Sequence, residues 1–548
     1  MADESQGSEK AEGPSGQATE EKPNAWGPLR NPTFRALWIA NAVSNIGTWM
    51  QNTAMAWVMA TIAPTAVMVS LVQTAASLPI FLLALPAGAI ADVMDRRRIM
   101  IFTQIWMLIA ATILGVLTLL DLTTPWILLA LVLALGIGTA LNAPAWQAII
   151  PELVPRDQIR AGVALNSAGF NLARAVGPAL GGLVLVALGA GATFMINAAS
   201  FLGVILVILF WKRPRGESAL PAERIFAAMR TGIRFVRHAR ALQAVFIRAF
   251  SFIVCASSLV ALLPLFARNF LQAGPSGYGV LLGSFGLGAV AGASVLPPVL
   301  RKISLDALAR CTSLIFAAVL SFLALVHGFA LDCAATFLAG AAWLALLSTL
   351  NSCVQSIAPA WVRGRCLAVY MLIFFGGMAG ASFAWGAVAN VVGIPAALHI
   401  SALSMVVGLL ATSRFKLISG ERLDLTPSSH WAGPPVIFEP QPRDGPVMVT
   451  VEYRIDPADW REFGIALRRL RRARLRGGAF RWTVFMDLSD PQRYCETFLV
   501  ESWLEHLRQH ERVTVADREI EGKVRAFHKG ETRPVVSHLL AKPLPKEE

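Results

Sequence analysis

Twelve apolar stretches, each long enough to cross a bilayer as a helix, limit what this chain can fold into. They run approximately 34–60, 65–91, 99–120, 125–149, 161–189, 192–211, 243–268, 277–300, 306–328, 331–357, 366–391 and 393–414. About 20 apolar residues in a helix span the hydrocarbon core of a bilayer. Within that core every backbone N–H and C=O must be satisfied by the chain itself, which makes each stretch a helix. Composition agrees: 55% of the 548 residues are hydrophobic, only 15% are charged, and mean hydropathy is +0.56. The expectation is an all-α polytopic membrane protein, twelve transmembrane helices in two six-helix halves, followed by a smaller α+β unit.

Charge sets the orientation. The net charge of +13 is not a nucleic-acid footprint here, because lysine and arginine collect in the cytoplasmic loops of membrane proteins beside anionic lipid. The even-to-odd connections carry Arg96, Arg97 and Arg98, then Arg156 and Arg160, Lys212, Arg213 and Arg215, Arg301 and Lys302, and Arg363 and Arg365. The opposite loops hold almost only Asp121, Arg268 and Asp332. Both termini are therefore expected on the cytoplasmic side of a plasma (inner) membrane.

The expected organisation is a disordered cytoplasmic tail at 1–30, a six-helix half at 31–211 and a cytoplasmic linker at 212–242. A second six-helix half at 243–415, a linker at 416–446 and a cytoplasmic domain at 447–548 complete it. The tail has no apolar core or cleavage site and is not read as a signal peptide. In the first linker Ile225, Met229, Ile233 and Val236 recur at helical spacing among Arg224, Arg230, Arg234 and Arg237. That pattern reads as an amphipathic helix on the inner leaflet, against a plain positive linker. Asn142-Ala-Pro-Ala-Trp-Gln147 and Asn351-Ser-Cys-Val-Gln355, each followed by a proline and an arginine, suggest a six-plus-six repeat. The six cysteines show no CxxC pairing and read as free thiols.

The last hundred residues change period. Val447–Ile455 alternates strictly, as a half-buried strand does. Asp456-Pro457 opens a helix whose face is Trp460, Phe463, Leu467 and Leu470, and Gly477-Gly478 stops it. Strands near 480–487 and 494–501 follow, then Ser502-Trp-Leu-Glu505 as a capping box, then a fourth strand at 535–540. The order βαββαβ reads as a ferredoxin-like α+β domain. Phe480, Trp482, Phe485, Phe498 and Trp503 are expected to expose an apolar sheet face through which two copies pair. Arginines 468–476 read as a solvated face near lipid, and His506 and His510 as solvated helix histidines. With HxxxH alone there is no complete metal set, and neither cofactor nor metal is expected.

Inside the spans a few polar residues stand out. Asn41, Ser44, Asn45, Thr48 and Asn52 lie three or four apart, along one face of the first helix. They line a water-filled path or glue helices together. Asn142, Gln147, Asn166, Asn171, Asn351 and Gln355 extend the candidate cavity. Arg174 sits near mid-span, where an unpaired arginine costs at least ~2.5 kcal/mol on the lenient insertion scale. Two readings stand for it: a counter-charge for an anionic substrate, or a structural partner of backbone carbonyls or Asp92. No Asp or Glu lies mid-span, which disfavours cationic substrates. No GxxxxGK[ST] loop is present, which argues against an ATP-driven pump.

The turn Gly88-Ala-Ile-Ala-Asp92-Val-Met-Asp95-Arg96-Arg97-Arg98 resembles the loop between the second and third helices of the major facilitator superfamily. The resemblance implies a cytoplasmic gating role for Gly88, Asp92, Arg96 and Arg97; Val93 and Asp95 depart from the family pattern. Gly177-Pro178-Ala179-Leu180-Gly181-Gly182 resembles the GPxxGG packing motif of exporters in that superfamily, with Ala173 where another glycine is usual; a Gly-rich packing face is the other reading. Asn31-Pro-Thr-Phe-Arg-Ala-Leu-Trp38, Ile150-Pro-Glu-Leu-Val-Pro155 and Ala164-Leu-Asn-Ser167 are similar to the branch that contains the enterobactin exporter. Residues 447–541 resemble the dimeric α/β barrels of the antibiotic-biosynthesis monooxygenase type. Together these imply a secondary exporter, proton-coupled by analogy with Asp92 as the least poor proton carrier, moving a small amphipathic neutral or anionic molecule. It is not an enzyme in this reading. The rival reading is a membrane-tethered enzyme or sensor built around the C-terminal unit. Expected partners are lipid, the transported molecule, protons and a second copy of the chain, with no nucleic acid.

Overall fold

The computed structural model describes residues 26–63, 65–211, 225–420, 424–428, 430–431, 433, 436–438 and 440–542. The expected N-terminal tail up to residue 25 lies outside the described residues. So do 212–224 of the linker and the side chains of Asp92 and Val93.

The first half comprises α1 (Pro32–Ile62), α2 (Ala66–Val93), α3 (Arg96–Leu119), α4 (Pro125–Leu153) and α5 (Ile159–Phe210). After α6 (Ile225–His238) come α7 (Arg240–Asn269), α8 (Pro275–Leu300), α9 (Leu305–Leu325), α10 (Phe329–Ile357), α11 (Ala360–Val392) and α12 (Ile394–Thr412). Short turns separate these helices, and side-chain caps start several of them. Asn31 accepts from the Thr33 and Phe34 amides, Asp95 from Arg97, and Ser304 from Ala307. Each cap satisfies an amide that the first helical turn would leave orphaned.

Among the described residues, ten helices are long and apolar enough to cross a membrane. Two features separate that number from the twelve expected stretches. α1 is long enough, but its amides and hydroxyls lower its hydropathy. α5 is one unbroken run only nominally: Gly189, at φ 82°, turns the chain between two helical limbs without any loop. A residue with a Cβ is strained at that φ, so the sharp reversal depends on glycine.

α6 is not a helix lying alone on lipid. Gly232 lies against Arg365 of α11, and Phe235 is buried edge-on to Trp361 at 5.6 Å. Ile233, on the stripe expected to meet the inner leaflet, is exposed on the protein surface. One face of the helix is held between the membrane bundle and the C-terminal unit.

The C-terminal unit contains β1 (Val447–Arg454), α13 (Trp460–Gly477), β2 (Arg481–Met486), β3 (Arg493–Val500), α14 (Trp503–Arg512), α15 (Val515–Arg525) and β4 (Val535–Leu540). The strands form one small sheet in the order β2-β3-β1-β4, with each neighbouring pair antiparallel. Val447, Val449, Val451 and Tyr453 of β1 face the helices with Tyr494, Glu496, Phe498 and Val500 of β3. α15 was not expected. Its capping box, Thr514 with Asp517, is present in the sequence. At Ser502 only half of the expected box forms: Ser502 accepts from the Glu505 amide, while the Glu505 carboxylate turns to Arg234 and Arg512.

Candidate functional site

Several close contacts join the two halves of the bundle among the described residues. Thr74 Oγ1 donates to the Ala379 carbonyl at 2.8 Å, and Ser70 fills the space over Gly386. Gly182 and Gly279 place α5 and α8 backbone to backbone, and Gly286 lies on Arg174 and Ala175. Trp57 stacks on Tyr278 at 6.1 Å, and Arg268 donates to the Ala60 carbonyl. All these contacts lie toward the end bearing the neutral turns. Toward the basic turns, polar residues of the same helix set are exposed, among them Gln147, Ser167 and Gln355.

Arg174 sits where the halves meet. Its guanidinium lies 5.9 Å from the Trp49 ring of α1 and 5.6 Å from the Phe285 ring of α8. Among the described residues it has no hydrogen bond and no ion pair. Ring faces attract a cation but leave all five N–H donors unused.

The α1 stripe divides. Asn41, Asn45, Thr48 and Asn52 are half-buried and have no side-chain hydrogen bond among the described residues. Ser44 is buried instead, and Gly47 abuts Asn197 and Ser200 in the second limb of α5. Gln51 belongs to that packed face, where its Oε1 accepts from Asn197 Nδ2 at 2.7 Å. Ser44 therefore leaves the candidate stripe, because the helix turns it toward α5.

The other amides serve as helix glue or cap their own helix. Thr103 of α3 donates to Asn142 at 3.1 Å, and Trp146 donates to Asn166 at 2.9 Å. Asn171 donates to the Ser167 carbonyl, and Gln355 to Asn351 at 2.6 Å. The repeat-related Asn142 and Asn351 thus hold different partners.

Around the basic turn, Arg96 binds Glu152 at 2.7 Å and the Ala148 carbonyl, tying α3 to α4. Arg97 donates to the Ile208 and Leu209 carbonyls, capping the end of α5. A cation there meets the negative end of the helix dipole. Gly88 has open space around it. Gly177 and Gly181 let α5 lie against Trp49 and Met50 of α1, while Gly182 and the Pro178 carbonyl meet Gly279. Sequence reasoning missed Arg248, which is buried, binds Asp306 at 2.8 Å and donates to the Phe415 carbonyl. The two partners lie 58 and 167 positions away, beyond any local pattern.

The interior of the C-terminal unit is ionic. Arg474, expected on a solvated face, is 7% exposed and binds Glu496 at 3.1 Å and Glu521 at 2.7 Å. Trp482 and Tyr453 donate to Glu496, and Trp431 and His430 bind Glu521. Burial alone would raise the Glu521 pKa; Arg474, His430 and Trp431 instead hold it down, at about 2. The histidines are not solvated either. His506 is 1% exposed, His510 and His538 are half-buried, and one ring nitrogen from each lies within 4.8 Å of the others. Burial pushes His506 down to about 3 and His510 to about 4, so both rings are neutral at pH 7. Trp482, Phe498 and Trp503 also face this interior, contrary to their expected exposure; Phe485 lies on the open side of the sheet. Strand register decides this, since alternate residues point to opposite faces.

α14 joins this unit to the bundle. Arg234 of α6 binds Glu501 at 3.3 Å and Glu505 at 3.4 Å, and Arg512 lies 4.4 Å over Trp361. A cleft of about 360 Å³ at this junction is lined by Trp361, Arg365, Pro427, Arg508 and Arg512.

Comparison with known proteins places this architecture. A family described as transmembrane secretion effector matches residues 23–545. The staphyloferrin A transporter of Staphylococcus aureus (strain NCTC 8325 / PS 47) is 26% identical over 277 residues, 50% of this chain and 68% of the relative. The multidrug efflux pump Tap of Mycolicibacterium fortuitum is 25% identical over 400 residues, covering 70% and 95% respectively. A bacterial homolog of the human lysosomal transporter Spinster, in an inward-facing and occupied conformation, aligns with TM-score 0.56 and 16% identity. That alignment covers 71% of this chain and 96% of the other.

Proposed function

The chain belongs to the transmembrane secretion effector family of the major facilitator superfamily, a family of transporters rather than enzymes, and we propose that it is a secondary exporter. It carries a small amphipathic, neutral or anionic molecule, siderophore- or drug-like, outward by alternating access. The observation that carries this reading is Arg174. A cation at the seam between the halves, held among the described residues by two rings and by no acid, keeps its donors for a ligand. Asn41, Asn45, Thr48 and Asn52 supply amides and a hydroxyl on the same side of the reading. The siderophore and drug relatives support the substrate class.

Counting α1 and both limbs of α5 beside the other nine spans gives twelve crossings in two six-helix halves, 31–211 and 243–415. The basic turns put both termini in the cytoplasm of a cell whose plasma membrane holds the protein. In this reading the halves part on the cytoplasmic side, ready to load. Outward transport draws on the proton gradient, with Asp92 as the acid available near the gating turn. The strand order and antiparallel pairing support a ferredoxin-like domain over 447–541. Its open face, where Phe485 is 57% and Leu539 50% exposed, supports pairing of two copies.

Uptake into everted vesicles from a panel of siderophores and drugs in the external medium tests the proposal. Arg174→Lys should retain part of the transport, and Arg174→Leu should abolish it at unchanged membrane abundance. Normal transport by Arg174→Leu would refute the role given to this residue.

A further inference from the structure

We propose that His506, His510 and His538 form a three-imidazole site for a first-row divalent transition metal of the Zn²⁺ class, with a fourth coordination position left to water or a small ligand. The proposal rests on the C-terminal unit alone and stands apart from the export reading.

The geometry comes from two elements. His506 and His510 are one turn apart on α14, so both rings project from one face. His538 stands on β4 directly opposite Val449, on the sheet face that α14 covers. Ring centroids are 4.8 Å apart for His506 with His510 and for His506 with His538. The Nε2 atoms of His506 and His510 lie 3.2 Å apart. Two nitrogens each about 2.0–2.1 Å from a tetrahedral zinc stand about 3.3 Å from one another. The α14 pair therefore already has the separation a metal would impose, and His538, with a ring nitrogen within 4.8 Å of both, would close the third corner by moving inward.

The surroundings select the kind of ligand. The nearby carboxylates, Glu496 and Glu521, are taken by Arg474, so the donor set is neutral nitrogen. Imidazole donors suit zinc, cobalt, nickel and copper, whereas calcium and magnesium require oxygen. His506 Nδ1 is buried without a hydrogen-bond partner, and so is the Oε1 of the adjacent buried Gln509. Metal on Nε2 fixes the proton on Nδ1, and the Gln509 carboxamide is the acceptor at hand for it. Such an outer partner is what a ligating histidine ordinarily has.

The test uses the full chain, purified in detergent with a histidine-free affinity tag and stripped by a chelator. Co²⁺ titration is followed by its d–d absorption, and Zn²⁺ by competition with a chromophoric chelator. The expected result is one equivalent per chain, a four-coordinate cobalt spectrum, and displacement of cobalt by zinc. His510→Ala and His538→Ala should each weaken binding by more than the about 10–100-fold that loss of an outer-shell partner costs. Gln509→Leu should fall within that about 10–100-fold range. Tryptophan fluorescence and size-exclusion profiles matched to wild type establish that the variants are folded; if an alanine variant is not, His538→Gln replaces it. No saturable binding by the wild-type chain, a six-coordinate cobalt spectrum, or unchanged binding in folded His510 and His538 variants would each overturn the proposal.

Discussion

Arg474, which is buried, and Arg174, which is half-buried, are held in opposite ways. Arg474 is packed between the rings of Trp431 and Phe498, at 4.9 and 5.0 Å, and bound by two carboxylates that are themselves bonded by Trp482, Tyr453, Trp431 and His430. Arg174 has two rings and nothing else among the described residues. A buried charge bound by two acids is part of the framework, because removing it strands both of them. A buried charge without an acid stays costly until something anionic arrives. The contrast between the structural role of Arg474 and the transport role proposed for Arg174 thus rests on their partners rather than on residue type.

The comparison can be broken first at Arg474. Arg474→Leu strands Glu496 and Glu521 and should destabilise the C-terminal unit by about 3–5 kcal/mol, the usual cost of breaking a buried pair. Thermal or urea unfolding followed by tryptophan fluorescence measures it, and an unchanged midpoint would mean the network contributes nothing net.

A smaller effect follows from acid. Glu521 is held at about 2, below its ordinary 4.5. With a depressed folded value, its stabilisation is complete above pH 4.5 and is lost as the pH falls through about 2. Unfolding curves across that window should show a slope that Glu521→Gln lacks. Equal slopes would show that the burial and the ion pair cancel.

The smallest expected effect sharpens the contrast from the other side. Arg174→Leu removes a charge with no acid to strand, so melting of the detergent-solubilised bundle should stay within about 0.5 kcal/mol of wild type or rise, as substitutions away from stabilising networks do. A clear fall in melting temperature would make Arg174 a structural residue after all.

What the sequence revealed follows from the range of each interaction. Helices show as long apolar runs, and β1, with its strict alternation, shows as a strand, because both patterns are local. The split of the α1 stripe was only half legible. Periodicity puts Ser44 beside Asn45, but the neighbouring Gly47 marks where Asn197 approaches, and that contact is 150 positions away. Arg474 looked like one of a run of solvated arginines; its two acids lie on β3 and α15, and α15 itself went unread although Thr514 and Asp517 announce it. His538 joins His506 and His510 only once β4 is placed in register with β1. Sequence spacing gives the helical pair and cannot give the third ring.

The wedging of α6 between α11 and the α13 and α14 side of the soluble unit has a consequence for how such proteins diversify. The segment connecting the halves meets the soluble unit through Arg234 with Glu501 and Glu505, while Arg512 covers Trp361 at the start of α11. Recombination that swaps the soluble unit for that of a distant relative would bring α14 without its matching α6 surface. Residues 225–238, 359–365 and 501–512 therefore form one heritable block scattered over three stretches of the gene, and a hybrid must carry all three together to seat its soluble unit.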